Sequence, residues 1–510
     1  MSALPVDLYQ ATRVRALDRR VIDIHGISGF CLMERAAAAA WRQLRESWPH
    51  AAKVTVVCGS GNNAGDGYLL AGMALDEGCR VQLITVSDPD SLTGDAARAA
   101  RQTRSRISCL EYSGPKPLAD AEVIVDAILG TGLDRELEGR YLEVVRDIND
   151  AGRPVLSIDL PTGLHADSGR IMGAAVRADI TITFIGLKQG LFTGQGADCR
   201  GRVVFADLDV PPEIYQAIQP DARRIDYETT VGCLAPRPRS SHKGLFGHVL
   251  VLGGDYGFSG AARMAAETAI RCGAGLVSIA TRSAHAWTIP LAVPELMVSG
   301  VENISELDPL LSRASVILAG PGMGQSPWAQ AMLARTLECR LPLVLDADAL
   351  NLLAREPAYS DWWILTPHPG EAARLLGIST AEIQADRFRA AGRLQQRYGG
   401  IIVLKGSGTL VFGPDTLPLV CTAGNPGMAT GGMGDVLSGV VAGLLAQGLS
   451  PLQAAALGVT IHAMAGDSAA RQGGERGLMA TDLLPWISRY ANPGMNIAAD
   501  GTTPHDVEPS

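Results

Sequence analysis

Short apolar runs rich in β-branched residues alternate with longer helix-like stretches along most of the chain. The alternation occurs in two series, and prolines interrupt it between them at Val210–Pro212 and Leu234–Arg239. Parallel strands need crossover connections that helices supply, so this alternation predicts a parallel sheet covered by helices. The sequence therefore predicts two α/β domains, and we place their boundary near residue 225.

The predicted elements follow the apolar runs. Two helices come first, Thr12–Ile24 and Gly29–Trp41. The first strand series is Val54–Cys58, Val81–Val86, Glu122–Asp126, Val155–Asp159, Ile180–Phe184 and Val203–Leu208. The second is His248–Leu252, Leu276–Ala280, Val316–Ala319, Pro342–Asp346, Trp363–Thr366 and Ile401–Lys405. The predicted domains are residues 1–225 and 226–495, followed by a frayed polar tail at 496–510.

Length and composition agree with a two-domain enzyme. The chain has 510 residues, and a single hydrophobic core stops growing at roughly 250–300 residues. Hydrophobic residues make up 47% and charged residues 19%, a balance that supports packed cores. The net charge is −9 without a block of Lys or Arg, which argues against nucleic acid or an anionic membrane as a partner.

The cysteines and the first residues indicate a cytoplasmic protein. The nine cysteines are scattered without a C-x-x-C pair, so neither a disulfide framework nor a zinc site is predicted. The first twenty residues lack the apolar core of a signal peptide, and no apolar run reaches the roughly 18 residues of a membrane span. We expect a soluble homo-oligomer that associates with no membrane.

A polar glycine-rich turn follows the first strand of the first series. The segment Gly59–Ala64 forms a loose G-x-G-x-x-A fingerprint at the position where a doubly wound sheet binds phosphate or polar ligands. A tight turn that serves shape alone has no need for the side chains of Asn62, Asn63 and Asp66. Ligand binding is therefore favoured over a purely structural turn.

Two further strands of this half end in carboxylates, Asp126 and Asp159. Such an Asp is often only a cap for the next turn, but three polar strand ends in one domain favour a site. Asn63, Asp126 and Thr162 supply hard oxygen atoms for a monovalent or divalent cation, and Asp159 is a candidate for proton transfer. Lys188 either assists electrostatically or is a solvated lysine, and the sequence does not decide between them.

In the second half, glycines precede an apolar helix predicted over Leu437–Ala446. The segment Gly431–Gly434 presents unpaired backbone N–H groups, which with the helix dipole form an anion hole for a transferring phosphoryl group. Asp435 beside it is suited to take a proton from the attacking hydroxyl. The alternative is an Asp that only stabilises the first helical turn.

Other turns of this half carry phosphate-binding equipment. Lys405–Thr409 ends a strand in a turn with a lysine and two hydroxyls, without the spacing of a Walker A loop. His368 lies in a proline turn, where it either contacts substrate or has only a structural role. Glycine turns at Gly253–Gly254 and Gly320–Gly324 allow close approach of the backbone.

The first half resembles the NAD(P)H-hydrate epimerase domain. The matching segments are Leu32–Ala36, Asn62–Gly67, Asp126–Gly132 and Asp159–Gly163. The resemblance implies a Rossmann-like sheet, potassium bound by Asn63, Asp126 and Thr162, and Asp159 at the reacting ring. It implies that substrate is contacted by Asn62, Asn63, Ala64, Gly65, Asp66, Gly130, Thr131, Gly132, Leu133, Asp134, Arg135, Glu136 and Asp159. Family members often have Ser in place of Thr162, which keeps the hydroxyl.

The second half resembles the ribokinase-like superfamily and, within it, the nucleotide-dependent NAD(P)H-hydrate dehydratases. The matching segments are His242–Gly247, Gly320–Gly324, Thr366–Glu371, Lys405–Thr409 and Gly431–Asp435. The resemblance implies that the hydrate site is lined by Ala261, Gly322, Gly324, His368 and Asp435. It implies that the nucleotide is held by Lys405, Gly406, Ser407, Gly408, Thr409 and Gly434. Family members that join both domains in one chain resemble ADP-dependent enzymes. We therefore expect ADP, accompanied by Mg²⁺, as the phosphate donor.

Together these resemblances imply one function, the repair of the hydrated cofactors NADHX and NADPHX. One domain would be an isomerase that interconverts their R and S forms. The other would be a lyase that dehydrates the S form with ADP and releases AMP and phosphate. Two alternatives stay open: a ribokinase-like small-molecule kinase fused to a dinucleotide-binding domain, and a non-catalytic dinucleotide sensor. The sequence leaves open the preference between the two hydrates and the oligomer size.

Overall fold

The computed structural model describes residues 4–492, so the tail predicted at 496–510 lies outside the described residues. The chain divides into two compact units, one ending at Arg224 and the other beginning at Ile225. We call them the N-terminal unit and the C-terminal unit. Both are α/β, which confirms the predicted fold class.

The N-terminal unit contains ten strands and eight α-helices among its described residues. Its strands are β1 (Asp7–Tyr9), β2 (Lys53–Cys58), β3 (Arg80–Thr85), β4 (Cys109–Glu111), β5 (Val123–Ala127), β6 (Val155–Ile158), β7 (Ile180–Phe184), β8 (Leu187–Lys188), β9 (Arg202–Ala206) and β10 (Ala222–Arg224). Its helices are α1 (Ala11–His25), α2 (Gly29–Ser47), α3 (Asn62–Asp76), α4 (Gly94–Arg104), α5 (Lys116–Ala119), α6 (Gly139–Asp150), α7 (Gly196–Arg200) and α8 (Glu213–Ala217).

Seven of these strands form one parallel sheet in the order β4-β3-β2-β5-β6-β7-β9. The chain runs outward from β2 in one direction and from β5 in the other, which is the doubly wound arrangement. Ligands of such sheets bind beyond the carboxyl ends of the two central strands, where the strand order reverses. Here those ends lead into Gly59–Asp66 and Leu129–Gly132.

The central strand β2 of this sheet is covered on both faces. Val54, Val56 and Cys58 pack into one apolar cluster, while Val57 of the same strand packs into a second cluster. Successive side chains of a strand point to opposite faces, so both faces of β2 are buried. This double burial explains why the strands read as continuous apolar runs in the sequence.

The C-terminal unit adds nine strands and twelve α-helices among its described residues. Its strands are β11 (His248–Leu252), β12 (Leu276–Thr281), β13 (Met297–Gly300), β14 (Val316–Ala319), β15 (Leu343–Leu345), β16 (Trp363–Leu365), β17 (Ile401–Leu404), β18 (Thr409–Phe412) and β19 (Leu419–Cys421). Its helices are α9 (Tyr227–Val231), α10 (Ser259–Arg271), α11 (Ile289–Ala292), α12 (Ile304–Leu311), α13 (Pro327–Leu337), α14 (Ala347–Arg355), α15 (Pro369–Leu376), α16 (Thr380–Ala385), α17 (Arg387–Tyr398), α18 (Met433–Ala446), α19 (Pro451–Gly473) and α20 (Leu484–Tyr490).

These strands lie in the order β13-β12-β11-β14-β15-β16-β17-β18-β19. The pairs from β13 to β17 are parallel, while β18 pairs antiparallel with both β17 and β19. The strand order reverses between β11 and β14. The turns after these two strands are Gly253–Gly260 and Gly320–Gly324, so the glycine turns noted in the sequence meet at the carboxyl edge of the sheet.

The structure corrects several sequence predictions. The strands β4, β13, β18 and β19 were missed because each has only three or four residues, too few to show a clear apolar pattern in the sequence. The helix predicted from Leu437 begins at Met433, so Asp435 lies inside its first turn. Gly434 is tolerated in this first turn because the N–H groups there have no partner within the helix.

Between residues 4 and 492, no helix combines the length and the apolar character that a membrane crossing requires.

Candidate active sites

A cavity of about 470 Å³ opens in the N-terminal unit at the point where the sheet order reverses. Among the predicted substrate residues, the cavity is lined by Asn62, Asn63, Asp66, Gly130, Thr131, Gly132 and Asp159. The rest of the predicted set, Ala64, Gly65, Leu133, Asp134, Arg135 and Glu136, is not among its lining residues. Gly65 instead packs on α2, since a β-carbon there would lie 2.5 Å from the Met33 sulfur.

Asp159 stands in the cavity wall on a strained piece of backbone. Its φ of 68° lies in the left-handed region, and its N–H donates to the Ile182 carbonyl at 2.7 Å. Its carboxylate forms an ion pair with Lys188. Strain of this kind persists where surrounding structure enforces it, and it clusters at functional sites. The turn after β6 therefore aims a carboxylate into the cavity.

Lys188 is buried, with only 1% of its side chain exposed. Besides Asp159, its ammonium donates to the Thr183 hydroxyl at 3.0 Å and to the Phe184 carbonyl at 3.1 Å. The alternative of a solvated lysine is therefore wrong. A buried ammonium needs a nearby negative charge, so Lys188 and Asp159 depend on each other.

Two further carboxyl groups share this wall, Asp18 from α1 and Asp66 from α3. Burial raises the pKa of Asp18 to about 6, with Lys188 opposing the shift and Asp159 adding to it. Burial, together with the charges of Asp159 and Asp18, raises the pKa of Asp66 well above its usual range. Sequence reasoning missed Asp18, because only the folded position of α1 brings it to the cavity.

Asp126 and Thr162 lie behind the wall rather than on it. The Asp126 carboxylate is fully buried and accepts hydrogen bonds from the Thr162 hydroxyl at 2.6 Å, the Thr162 N–H at 2.8 Å and the Ser157 hydroxyl at 2.8 Å. Burial raises its pKa, and these hydrogen bonds oppose the rise. Thr162 also accepts from the Leu129 N–H at 3.0 Å, which fixes the start of the Leu129–Gly132 turn.

Asn63 stands against the other side of the Leu129–Gly132 turn. Its amide oxygen and nitrogen are both buried, and neither has a hydrogen-bond partner among the described residues. A β-carbon placed at Gly130 would lie 3.6 Å from the Asn63 side-chain carbon, so the amide stands against the turn that Thr162 holds. An unpaired buried amide is costly, and it indicates a ligand at this position.

In the C-terminal unit, charged side chains meet at the carboxyl edge of the sheet. The Lys405 ammonium donates to Asp346 at 2.8 Å and lies 3.8 Å from Glu371. Burial acts to lower the pKa of Lys405, but Asp346 and Glu371 more than offset it, so the pKa is raised. Burial raises the pKa of Glu371 to about 7. Several strand ends thus contribute to one charged cluster.

Asp435 faces this cluster from the first turn of α18. No side chain caps this helix, whose N-cap Gly432 adopts a φ of 89°. A β-carbon at Gly434 would lie 3.2 Å from the Lys405 ammonium, so helix start and cluster are adjacent. Burial, reinforced by Asp346, raises the pKa of Asp435 to about 7. The side chain is partly exposed rather than packed inside the protein.

The predicted nucleotide turn lies between β17 and β18. The Thr409 hydroxyl donates to the Gly406 carbonyl at 2.9 Å, which closes the turn and leaves Gly406 and Ser407 exposed. The buried Arg387 guanidinium supports the turn from below, donating to the carbonyls of Leu404 at 3.1 Å and Lys405 at 3.2 Å. The backbone N–H groups of such a turn suit a phosphate.

Three of the predicted hydrate residues, Ala261, Gly322 and Gly324, lie at the reversal of strand order, whereas His368 follows β16 and Asp435 lies in α18. Gly322 has a φ of 57°, and a β-carbon there would lie 3.1 Å from that of Ala261. The Gly324 N–H donates to Asp348 at 2.8 Å. His368 caps α15 by accepting from the Gly370 N–H at 2.9 Å, and burial lowers its pKa. The His368 ring therefore has a structural role as a helix cap, and half of its surface is exposed to solvent.

Sequence reasoning missed Asp346 and gave Glu371 no role. Asp346 follows β15 and precedes Ala347, which has a φ of 47°. It therefore repeats the arrangement at Asp159, a carboxylate at the end of a buried strand with a left-handed residue in the turn. The strand-end rule used for Asp126 and Asp159 would have found it.

Both units match known protein families. Residues 30–190 match the family model described as YjeF-related protein N-terminus, and residues 249–489 match the model described as NAD(P)H-hydrate dehydratase. The chain is 48% identical over 488 residues to a Coxiella burnetii protein named bifunctional NAD(P)H-hydrate repair enzyme Nnr, covering 95% of this chain and 99% of that protein. It is 41% identical over 492 residues to the Escherichia coli protein of the same name, covering 96% and 95%.

Among solved structures, one similar protein is described as the ADP/ATP-dependent NAD(P)H-hydrate dehydratase from Bacillus subtilis, co-crystallized with ATP and Mg²⁺. It is 28% identical, covers 53% of this chain and 98% of its own, and has a TM-score of 0.48.

Proposed function

The chain belongs to the family of bifunctional NAD(P)H-hydrate repair enzymes, and we propose that its two units divide that work between the two sites described above. The N-terminal unit epimerises hydrated NADH and NADPH. The C-terminal unit dehydrates the S epimer with a nucleotide phosphate donor, for which we propose ADP. One enzyme then returns both epimers to the reduced cofactor, since the epimerase supplies the form that the dehydratase accepts.

The placement of Asp435 is the observation that carries the dehydratase proposal. Hydroxide is a poor leaving group, so the ring hydroxyl must be activated before it departs. Asp435 takes the proton of this ring hydroxyl while the hydroxyl oxygen attacks the terminal phosphorus of ADP. The bond between that phosphorus and the AMP leaving group breaks. The uncapped N–H groups of α18 stabilise the moving phosphoryl group.

The second half of the reaction releases phosphate. The lone pair of the ring nitrogen expels it from the ring carbon, and loss of a proton from the neighbouring carbon restores the dihydronicotinamide. Lys405 and the turn through Gly406, Ser407, Gly408 and Thr409, together with Gly434, hold the nucleotide. Ala261, Gly322, Gly324 and His368 hold the hydrate. Mg²⁺ enters only with the donor nucleotide, where it would offset phosphate charge.

For the epimerase, Asp159 moves the proton of the ring hydroxyl, and Asn62, Asn63, Asp66 and the Gly130–Gly132 turn position the ring. Ala64, Gly65 and Leu133–Glu136, which do not line the cavity, remain part of the proposed contact set. Asp159 is well placed for this role because Lys188 holds its carboxylate at the cavity surface.

Potassium fits the group formed by Asn63, Asp126 and Thr162. The unpartnered amide of Asn63 offers an oxygen, and the buried Asp126 carboxylate offers a charge that a cation would offset. Among residues 4–492 no group of three or more His, Cys, Asp or Glu side chains is arranged for a metal ion, and this oxygen set contains only one carboxylate. Bound there, the cation would fix the Leu129–Gly132 turn against the ring.

Replacing Thr162 with valine should weaken the response of epimerisation to potassium. The substitution removes a hydroxyl oxygen beside Asp126, and we expect the potassium concentration for half-maximal rate to rise about 10- to 100-fold. The rate of R-to-S conversion is measured across a potassium series with sodium holding the ionic strength constant. Thr162→Ser keeps the hydroxyl and should behave as wild type; an unchanged potassium response in the valine variant would contradict the site.

Dehydration should require Asp435 in its ionised form. Because burial raises its pKa to about 7, the base form is depleted as pH falls below that value. We expect kcat/KM for the S hydrate to fall about tenfold per pH unit below pH 7 and to level off above it. Initial rates between pH 5.5 and 9, with ADP saturating, test this. A profile that stays level down to pH 5.5 would exclude such a base.

Turnover of purified hydrates separates this function from its alternatives. The R hydrate with ADP should return the absorbance of the reduced cofactor and release AMP and phosphate in equal amounts. A small-molecule kinase would instead accumulate a stable phosphorylated product, and a sensor would bind the hydrate without turnover. Comparing ADP with ATP in the same assay identifies the donor.

A further inference from the structure

One face of α1 forms part of the epimerase cavity. Val14, Asp18 and Ile22 lie four residues apart and line the cavity together, because residues at this spacing share a helix face. The first and last are apolar, and Leu17 and Val21 beside them pack in the core. The carboxyl group of Asp18 thus stands between apolar side chains on the cavity side of α1, where Arg15 also lines the cavity.

The other carboxylates that contact α1 have structural partners. Asp221 accepts from the Gln10 N–H at 2.9 Å and from Arg13 at 2.8 Å, and Asp167 accepts from the Ala11 N–H at 2.7 Å. For Asp18, by contrast, residues 4–492 provide no hydrogen bond and no ion pair within 4 Å. A half-buried carboxyl without such a partner has no stabilising role that explains it.

The charged and titratable groups around Asp18 come from five parts of the N-terminal unit. They are Lys188 on β8, Asp159 after β6, Asp66 on α3, Arg15 on α1 and Tyr215 on α8. Arg15 is exposed and donates to the Thr131 carbonyl, so Lys188 is the buried cation that faces the three carboxyl groups. Lys188 is already paired with Asp159, and one buried positive charge does not offset three negative ones.

The carboxyl groups of this site therefore have different surroundings. Asp159 has the ion pair, whereas burial raises the pKa of Asp18 to about 6 despite the opposing effect of Lys188. Two carboxyl groups of one site that have different surroundings commonly serve as acid and base in one reaction. Asp18 is suited to carry a proton, and Asp159 to accept one.

We propose that Asp18 is a second proton-transfer residue of the epimerase, donating to the ring nitrogen while Asp159 accepts from the ring hydroxyl. This inference rests on the proposed epimerase function. As Asp159 takes the hydroxyl proton, the carbon–oxygen bond becomes a carbonyl and the bond from that carbon to the ring nitrogen breaks. The electron pair stays on the nitrogen, which Asp18 protonates. No oxidant, reductant or other co-reactant is needed.

Inversion follows from rotation in the opened form. Turning the aldehyde about its carbon–carbon bond presents its other face to the nitrogen. The nitrogen then attacks, Asp159 returns its proton to the oxygen, and the Asp18 carboxylate recovers the proton from the nitrogen. Both residues end in their starting states, so the cycle balances and runs equally in either direction.

The test combines the wild-type pH profile with variants of Asp18. R-to-S conversion by the full-length enzyme is followed by chromatographic separation of the two hydrates, with the uncatalysed rate subtracted. For wild type we expect kcat/KM to fall about tenfold per pH unit above pH 6, as protonated Asp18 is depleted. Asp18→Asn should lower kcat about 100-fold or more and lose this alkaline decline, while Asp18→Glu should restore part of both.

Asp23→Asn, at an exposed position on the same helix, is the matched control and should behave as wild type. Dehydration of the S hydrate by the C-terminal unit should be unchanged in every variant. A wild-type profile without the alkaline decline would overturn the inference, as would an Asp18→Asn variant that keeps more than a third of the wild-type kcat. A wild-type enzyme that never converts the R hydrate would instead overturn the epimerase function itself.

Discussion

Asp435→Asn is expected to lower kcat for dehydration of the S hydrate by about 10²- to 10⁴-fold, the usual contribution of a general base. The amide keeps the shape of the side chain in the first turn of α18 but cannot take the hydroxyl proton. Epimerisation should be unchanged, because Asp435 belongs to the other unit. Initial rates with saturating ADP and pure S hydrate measure the loss.

The control for this variant is Asp415→Asn, the same chemical change at an exposed residue of the same unit. It should leave both activities at wild-type levels. If Asp435→Asn dehydrated the S hydrate within about threefold of wild type, Asp435 would not be the base, and its raised pKa would reflect burial alone.

Asp159→Asn is expected to produce the reciprocal defect. R-to-S conversion should fall by about 10²- to 10⁴-fold, since the residue that accepts the hydroxyl proton is gone, while dehydration of the S hydrate continues. Asparagine is among the residues that tolerate the left-handed backbone of this position, so the turn itself should persist. Chromatographic separation of the epimers over time gives the rate.

The effect of Asp159→Asn on stability must be separated from its effect on catalysis, because the substitution leaves the buried Lys188 without its carboxylate partner. Breaking a buried ion pair costs about 3–5 kcal/mol, so thermal unfolding should occur at lower temperature. Adding Lys188→Met should recover much of the stability without recovering the rate. Asp150→Asn, on an exposed end of α6, serves as the matched control. A double variant that epimerised normally would show that the single variant was merely destabilised.

The sequence predicted those parts of the sites that lie at the ends of buried strands. Parallel strands share a carboxyl edge, so the residues after β2, β5 and β6 converge whatever the helices do. The turn after β17 was predicted for the same reason. The glycine-rich turns could also be predicted from the sequence, because a backbone position such as Gly322, with a φ of 57°, favours glycine.

The sequence could not predict contributions that depend on helix packing. In the sequence, Asp18 is an ordinary charged residue among the arginines of α1. Only the packing of that helix in the folded unit places Asp18 at the cavity. The burial of Lys188 is equally invisible, because a lysine in a short strand such as β8 is usually exposed. The strands β4, β13 and β19 were missed because each has only three or four residues, too few to show a clear apolar pattern.

The central claim is that the C-terminal unit phosphorylates the ring hydroxyl and then expels that oxygen with the phosphate. S hydrate carrying ¹⁸O in this hydroxyl tests it most directly. After dehydration with unlabelled ADP, mass spectrometry should find one ¹⁸O atom in each released phosphate and unlabelled AMP. If the label appeared in water and the phosphate were unlabelled, the hydroxyl would have left without phosphorylation, and the role assigned to Asp435 would be wrong.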